Sequence, residues 1–267
     1  MEPKDRIIVA LDIDQVDKAT HLVTELSPHV GLFKIGLELI YTMLVWLVTA
    51  PEADEGARRL EEVQGLFRAL GGRVFLDGKL MDIPNTVAGA MRALARLELK
   101  LANVHCLGGA EMMKAASGVT GRPKLLGVTL LTSLNYDGLQ NLGLMPMDIL
   151  REPDRTTIET RRVEQCVARL ALMAKSVGLD GVIASPREIA IVREGCGKGF
   201  LIVTPGVRPE WAAAGDQKRV MTPGEAVKAG ADYLVIGRPI TQPPSAIGTP
   251  VDAACKIADE IAAALAA

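Results

Sequence analysis

The sequence runs FLDGKLMDIPNT over residues 75–86, so that a short apolar run leads into three charged residues and then a proline. Asp77 and Lys79 are two residues apart, and a strand would therefore point both side chains to the same face. Charged side chains are rarely buried unless they are paired. Asp82 follows the strand, and Pro84 suits the first turn of a helix. The stretch predicts a strand that ends in a charged cluster and leads directly into a helix.

Seven other segments resemble the start of this stretch, since each is short, almost continuously apolar and followed by a helical pattern. Such segments are typical of a parallel sheet that is buried on both faces. The eight predicted strands are residues 6–13, 31–36, 73–79, 102–108, 125–132, 181–185, 200–206 and 232–238. Eight strand–helix units predict a (β/α)8 TIM barrel in the α/β class, formed by one domain over 1–267. An open doubly wound sheet is the alternative, but no G-x-G-x-x-G motif follows the first strand.

Local signals mark several helices and connections. Thr222 and Pro223 are typical of a helix start, and Gly230 is typical of the end of the same helix. We expect residues 49–62 to extend a helix and residues 140–160 to form a long surface loop. Residues 39–51 are uncharged and too few to span a bilayer, so we expect a buried helix there. A membrane-surface contact or a subunit interface is the alternative for that segment.

Composition excludes several classes of function. The chain has 267 residues, 49% of them hydrophobic, with a formal net charge of −2 and 3% aromatic residues. Neither the charge nor the aromatic content suits binding to nucleic acid. Four scattered cysteines and three histidines give no metal-ligand spacing and favour a reducing compartment. With no apolar signal segment at the N-terminus, we expect a soluble cytoplasmic protein that binds neither a metal nor a membrane.

Polar residues recur where the predicted strands end, which is where barrel enzymes place their chemistry. One or two could belong to a structural layer of ion pairs, but their convergence on one rim indicates a ligand. VIGRP at the end of the eighth strand matches a phosphate site near strands seven and eight. The long loop at 204–223 is predicted to be a lid. The residues at or beside this rim are Asp12, Lys34, Asp77, Lys79, Thr132, Ser133, Arg208, Gln217, Arg219, Gly237 and Arg238.

The stretch at 75–86 closely resembles the Asp-x-Lys-x-x-Asp-Ile-Pro-Asn-Thr signature of the orotidine 5′-phosphate decarboxylase family. Five other motifs resemble that family's landmarks in the same order: ALD, FKIG, LTS, TPGVRP followed by GDQKRVMTP, and VIGRPI. The sequence departs from the pattern at Gly78, where a bulkier apolar residue is expected, and at Leu80 and Met81, which replace an aromatic–histidine pair.

The resemblance implies a homodimeric (β/α)8 barrel that converts orotidine 5′-monophosphate (OMP) to uridine 5′-monophosphate (UMP) without metal or cofactor. Lys79 would donate a proton to C6 of the pyrimidine, and Asp77 would lie beside the departing carboxylate. Asp82, with Ile83 and Thr86, would enter the partner subunit's site. Asp12 and Lys34 would bind the ribose hydroxyls and complete the catalytic charged network with Asp77 and Lys79. The remaining implied roles are pyrimidine contact by Thr132 and Ser133, and phosphate binding by Arg208, Gln217, Gly237 and Arg238.

The residues suit this chemistry because loss of CO₂ would leave negative charge at a carbon, which a nearby ammonium stabilises. Carboxylates on either side of Lys79 would favour its charged form. Two alternatives are a metal-dependent decarboxylase or synthase of sugar phosphates in the same barrel group, and a non-catalytic nucleotide-binding protein.

Overall fold

The computed structural model describes residues 1–147, 154–212 and 221–267. Within them, parallel strands pair in chain order, and the last pairs with the first to close a barrel. The predicted (β/α)8 TIM barrel is therefore confirmed, and each predicted strand is present. The strands are β1 Ile7–Ala10, β2 Leu32–Ile35, β3 Val74–Leu80, β4 Leu101–His105, β5 Lys124–Val128, β6 Gly181–Ile183, β7 Leu201–Pro205 and β8 Tyr233–Ile236.

Helices surround the barrel and connect its strands. The α-helices are α1 Val16–Leu26, α2 Leu37–Val48, α3 Ala53–Leu70, α4 Pro84–Leu94, α5 Gly109–Ser117, α6 Tyr136–Asn141, α7 Arg155–Ser176, α8 Ile189–Cys196, α9 Pro223–Ala229, α10 Arg238–Thr241 and α11 Pro250–Ala266. Short 3₁₀ turns cover Lys4–Arg6, Cys106–Gly108 and Pro186–Glu188.

Alternation along the strands divides the core into two parts. One cluster fills the inside of the barrel, and a larger cluster packs the outer strand faces against the helices. The inner cluster is Ile8, Leu32, Phe75, Leu101, Leu126 and Val203. Side chains two residues further along each strand point to the same interior. This inner cluster, called the apolar floor below, therefore lies directly beneath the residues at the C-terminal ends of the strands.

The predicted helix signals at α4 and α9 are confirmed. Helix α4 begins at Pro84, directly after the charged stretch. Thr222 caps α9 by accepting a hydrogen bond from the backbone N–H of Glu225, and the Glu225 side chain bonds back to Thr222. Gly230 ends α9 with φ of 112°, a left-handed conformation that favours glycine.

Both segments expected to be inserted differ from the prediction. Residues 49–62 do not extend a helix, because α2 ends at Val48 and a separate helix, α3, begins at Ala53. Arg59 of α3 lies over the ring of Trp46 at 4.0 Å and donates to the Trp46 carbonyl at 2.8 Å, which holds the two helices together. Residues 140–160 are not one loop, since α7 begins at Arg155; residues 148–153 lie outside the described part of the chain.

The expectation of a buried helix at 39–51 is wrong. Only Leu39 and Met43 of α2 are buried. Tyr41 is 60% exposed and Val48 is 71% exposed, because a helix that packs on the barrel rim buries one stripe of its surface. No helix within 1–147, 154–212 and 221–267 is long and apolar enough to cross a membrane.

Arg193 fastens the N-terminal end of the barrel at β7 and β8. Its guanidinium donates to the carbonyls of Gly197 and Phe200, both at 2.7 Å, and to that of Gly230 at 2.6 Å. It also pairs with Asp232 at 2.7 Å, and Asp232 accepts from the backbone N–H of Ile202. One side chain therefore joins the end of α8 to the entries of two strands.

We expect Arg193→Met to lower the free energy of unfolding by about 2–3 kcal/mol, because it leaves partly buried acceptors without their charged donor. Urea denaturation measures this change. Arg58→Met is the matched control, since Arg58 is largely exposed and pairs with Glu55 and Glu62 on the same helix. An unchanged unfolding midpoint in Arg193→Met would contradict the assignment.

Candidate active site

Two ammonium groups and two carboxylates alternate across the C-terminal ends of β1, β2 and β3. Lys34 Nζ lies 2.8 Å from Asp12 Oδ1 and 3.5 Å from Asp77 Oδ2. Lys79 Nζ lies 2.8 Å from Asp77 Oδ1. The side chains of Lys34 and Asp77 are only 10% and 11% exposed, so each is a buried charge with opposite charges beside it. The four groups form a continuous chain, Asp12–Lys34–Asp77–Lys79.

The strand register explains why these side chains meet. Ala10 is paired with Lys34, and Lys34 with Phe75, so Asp12 and Asp77 come two residues after the partners of Lys34 on each side. Between them, Gly36 has no side chain. A Cβ on Gly36 would lie 2.6 Å from Lys34 Nζ and 3.3 Å from Asp12 Oδ1. The ammonium of Lys34 therefore uses the space that any larger residue at position 36 would fill.

Lys79 has an unusual backbone. Its φ is 47°, and it is the one non-glycine residue with positive φ in the described ranges. The pairing of β3 with β4 shifts between Leu76 and Leu80, where β3 has two more residues than β4. A left-handed conformation costs a residue with a side chain about 1–2 kcal/mol. Lys79 is therefore held in a strained conformation beside Asp77.

Two polar side chains of β4 were not predicted as site residues. Asn103 is 1% exposed, donates from Nδ2 to Asp77 Oδ1 at 2.6 Å and accepts from the backbone N–H of Lys79 at 2.7 Å. His105 is 8% exposed, and burial, aided by the charge of Lys79, lowers its pKa. The signal available in the sequence was the spacing, since two polar residues at alternate positions of an apolar strand share one face.

Asp77 is ionised despite its burial. Burial acts to raise its pKa, but the charge and hydrogen bond of Lys79, the charge of Lys34 and the amide of Asn103 outweigh it, so the pKa lies below the ordinary value. At neutral pH the site therefore presents a carboxylate between two ammonium groups.

A cavity opens above these four charged side chains. Its volume of about 300 Å³ is within the range for small-molecule sites. Most of the predicted site residues line it. These are Asp12, Lys34, Asp77, Lys79, Thr132, Arg208, Gly237 and Arg238. Apolar residues, among them Leu130 and Val207, line the rest of the wall. The cavity thus combines a charged side at β1–β3 with arginines at β7 and β8.

The two arginines lie on neighbouring strand ends. Arg208 follows β7, and its backbone N–H donates to the carbonyl of Met221 at 3.0 Å, which joins the two ends of the loop predicted to be a lid. Arg238 begins the short helix α10 directly after β8 and Gly237. A Cβ on Gly237 would meet the Cβ of Ala10 at 3.5 Å, an ordinary contact. Both guanidinium groups are suited to an anionic group of a ligand.

The structure does not bring every predicted residue to the cavity. Asp82, Ile83 and Thr86 are exposed, and Asp82 accepts a hydrogen bond from the backbone N–H of Ile83. Ser133 is exposed and does not contribute to the cavity wall. Gln217 and Arg219 lie outside the described residues. Among the residues that are described, no group of three or more histidines, cysteines, aspartates and glutamates could hold a metal ion.

The fold and the site together define the class of protein: a (β/α)8 barrel enzyme in which alternating carboxylates and lysines lie at the C-terminal ends of the strands. A family model described as "Orotidine 5'-phosphate decarboxylase / HUMPS family" matches residues 5–257. The chain belongs to this family.

Relatives with an assigned name are similar to this chain over almost its full length. The orotidine 5′-phosphate decarboxylase of Geobacter sp. (strain M21) is 46% identical, over 97% of this chain and 96% of the relative. That of Trichlorobacter lovleyi is 47% identical, over 98% and 97%. The crystal structure of the orotidine 5′-phosphate decarboxylase from Lactobacillus acidophilus is similar with a TM-score of 0.67 and 34% identity, over 96% of this chain and 98% of that one.

We expect Gly36→Ala to separate Lys34 from Asp12, because the new methyl group would occupy the place of the ammonium. Overpacking of this kind costs about 1–3 kcal/mol of the free energy of unfolding. A crystal structure and urea denaturation measure the two effects. Gly65→Ala in α3 is the control, since its Cβ would meet only Arg68, at 3.8 Å. An intact Lys34–Asp12 pair in Gly36→Ala would contradict the account.

Proposed function

We propose that this chain decarboxylates OMP to UMP, with Lys79 as the proton donor. The proposal includes a single barrel domain over 1–267, a cytoplasmic homodimer and a reaction that needs no metal or organic cofactor. The general part of the proposal is orotidine 5′-phosphate decarboxylase activity. It is supported by the family and by relatives of that name at 46% and 47% identity.

The observation that supports Lys79 as the proton donor is its contact with Asp77. The ammonium lies 2.8 Å from the carboxylate, on the wall of the cavity, and its side chain is 35% exposed. It is thus held by one charge while remaining accessible to a ligand. A proton donor needs both properties, since it must be fixed in place and within reach of the reacting atom.

The proposed reaction has two parts. The bond between C6 of the pyrimidine and its carboxylate breaks, CO₂ leaves, and the electron pair stays on C6. The ammonium of Lys79 stabilises this developing charge and then transfers a proton to C6, which gives UMP. The neutral amine regains a proton from solvent before the next turnover.

Asp77 contributes to the same step through repulsion. A substrate carboxylate about 4 Å from Asp77 would be repelled by roughly 4 kcal/mol at an effective dielectric constant of 20. This repulsion disappears when CO₂ leaves, so it lowers the barrier. Transition-state stabilisation by Lys79 is the larger contribution in our proposal, because preorganised charge usually lowers an enzyme's barrier more than any other single effect.

Among the remaining roles, those of the residues on the cavity wall follow from their position there, whereas the role of Ser133 rests on the resemblance alone. Asp12 and Lys34 bind the ribose hydroxyls, and Thr132 with Ser133 contacts the pyrimidine. Arg208, Gly237 and Arg238 bind the phosphate, and the resemblance adds Gln217 to them. Binding energy at the phosphate, far from the reacting carbon, would serve to close the predicted lid at 204–223 and exclude water; residues 213–220 of that segment lie outside the described part of the chain.

We expect purified protein to convert OMP to UMP equally well with and without EDTA. We expect Lys79→Ala to lower kcat at least about 10³-fold, because it removes both the proton donor and the positive charge. Loss of substrate absorbance in the ultraviolet measures the rate. Lys114→Ala, which changes an exposed lysine of α5, is the control and should behave like the unaltered chain.

The other outcomes separate the alternatives. Activity that EDTA abolishes would favour the metal-dependent decarboxylases and synthases of sugar phosphates. Binding of UMP by folded protein without turnover of OMP would favour a non-catalytic nucleotide-binding protein. Full activity in Lys79→Ala would refute the assigned proton donor while leaving the reaction intact.

The shared active site of the proposed homodimer is supported by the exposure of the Asp82 region. Asp82 forms no ion pair within the described part of the chain, although it belongs to the charged stretch. Its neighbours Met81 and Ile83 are apolar and 55% and 67% exposed. An exposed carboxylate between exposed apolar side chains suits a contact with a second copy of this chain, to whose site Asp82 would contribute.

Subunit mixing tests this arrangement. We expect Lys79→Ala and Asp82→Asn each to be inactive as homodimers. After unfolding and refolding in equal amounts, half of the dimers would be mixed, and one of their two sites would carry both native residues. The mixture should recover about one quarter of the original activity if exchange is random. No recovery from mixed dimers would mean that Asp82 acts within its own subunit.

A further inference from the structure

Asn103 connects the backbone of Lys79 to the carboxylate of Asp77. It lies on β4, and only 1% of it is exposed. Its amide nitrogen donates to Asp77 Oδ1 at 2.6 Å, and its amide oxygen accepts from the Lys79 N–H at 2.7 Å. Asp77 Oδ1 is the same oxygen that contacts Lys79 Nζ. A single buried amide therefore fixes the lysine at its backbone and the carboxylate that holds its ammonium.

The bond to the Lys79 N–H occurs where the regular ladder between β3 and β4 is interrupted. The register shifts by two residues between Leu76 and Leu80, and Asp77, Gly78 and Lys79 have no partner in the pairing of β3 with β4. A buried N–H without a partner is costly. The Asn103 side chain supplies the acceptor that the neighbouring strand's backbone does not.

The left-handed conformation of Lys79 needs surroundings that fix it, and the bond to Asn103 acts directly on its backbone. With φ of 47°, the residue occupies a region that a side chain disfavours, and strained backbone persists only when its surroundings fix it. The φ angle also sets the direction of the side chain. We expect relaxation to negative φ to turn the Lys79 side chain away from Asp77.

We propose that Asn103 is a positioning residue that fixes the strained backbone of Lys79 and the orientation of Asp77, and thereby aims the ammonium at the reacting carbon. The inference rests on the proposed decarboxylation and extends it by one residue on the neighbouring strand. Asn103 does not line the cavity, so it acts through the two groups that it holds.

The first test compares Asn103→Leu and Asn103→Ser with the unaltered chain. Leucine has a similar size and forms neither bond, and serine is too short to span both partners. We expect kcat to fall about 100-fold in both, because a displacement of about 1 Å at a reacting group has an effect of that size. We expect the Kd of UMP to stay within about threefold, because the nucleotide contacts remain.

Leu101→Val is the control for loss of packing alone. Leu101 precedes Asn103 by two residues on β4 and belongs to the apolar floor of the barrel, with no contact to Lys79 through hydrogen bonds. We expect it to lower the unfolding midpoint while leaving kcat unchanged. Rates are expressed per UMP-binding site, so that unfolded protein does not count.

A crystal structure of each Asn103 variant gives a readout that does not depend on activity. We expect Lys79 to leave the left-handed region and its Nζ to move beyond ion-pair distance from Asp77. Unchanged φ and unchanged Nζ–Oδ1 distance in both variants would overturn the proposal. So would a kcat within about threefold of the unaltered chain, or an equal fall in kcat and UMP affinity that Leu101→Val reproduces.

Failure of the proposed function would look different. If the unaltered chain binds UMP but does not convert OMP, the decarboxylation is refuted, and the crystal structures still decide whether Asn103 holds Lys79 and Asp77. If the unaltered chain is active and the variants are equally active, only the role of Asn103 is refuted.

Discussion

Burial of the Asp77 carboxylate between two lysines is the constraint on which the rest of the site depends. An isolated buried charge is expensive, and it is tolerated only when opposite charges and hydrogen bonds surround it. Asp77 obtains Lys79 and Lys34 as counter-charges and Asn103 as a donor. Lys34 in turn has Asp12 as a counter-charge, and Asp12 is the last of the four charged groups, at the more exposed edge of the site. Removing any interior member would leave its neighbours incompletely paired.

A closed barrel supplies this arrangement because it brings adjacent strand ends to one rim with a fixed register. Three neighbouring strands provide Asp12, Lys34 and Asp77, and a fourth provides Asn103 from below. The apolar floor beneath them excludes water from one side, which strengthens every charge interaction above it. At the opposite end of the barrel, Arg193 and Asp232 join strand entries and take no part in the cavity. Stability and chemistry are thus assigned to opposite ends of the same strands.

Much of the fold could be predicted from the sequence, because eight short apolar runs followed by helical patterns leave few alternatives to a barrel. Alternation also placed Asp77 and Lys79 on one face. It could not reveal the register shift before Leu80, because the two extra residues of β3 there have no signature in the residue pattern, and the left-handed Lys79 lies within that shift. Asn103 was missed because its partners are a backbone group and a residue on another strand. The exposure of α2 depends on packing angle, which composition does not contain.

Charge balance gives the arrangement its chemical sense. The formal charges of Asp12, Lys34, Asp77 and Lys79 sum to zero, so this group of four side chains is neutral before a ligand enters. In the proposed reaction the substrate adds a carboxylate beside Asp77, where like charges repel. Loss of CO₂ moves that negative charge onto C6, next to Lys79, where opposite charges attract. The same fixed groups therefore oppose the ground state and favour the transition state, which is the difference that accelerates a reaction. The strained backbone at Lys79 has a purpose in this scheme, because the benefit depends on where the ammonium lies.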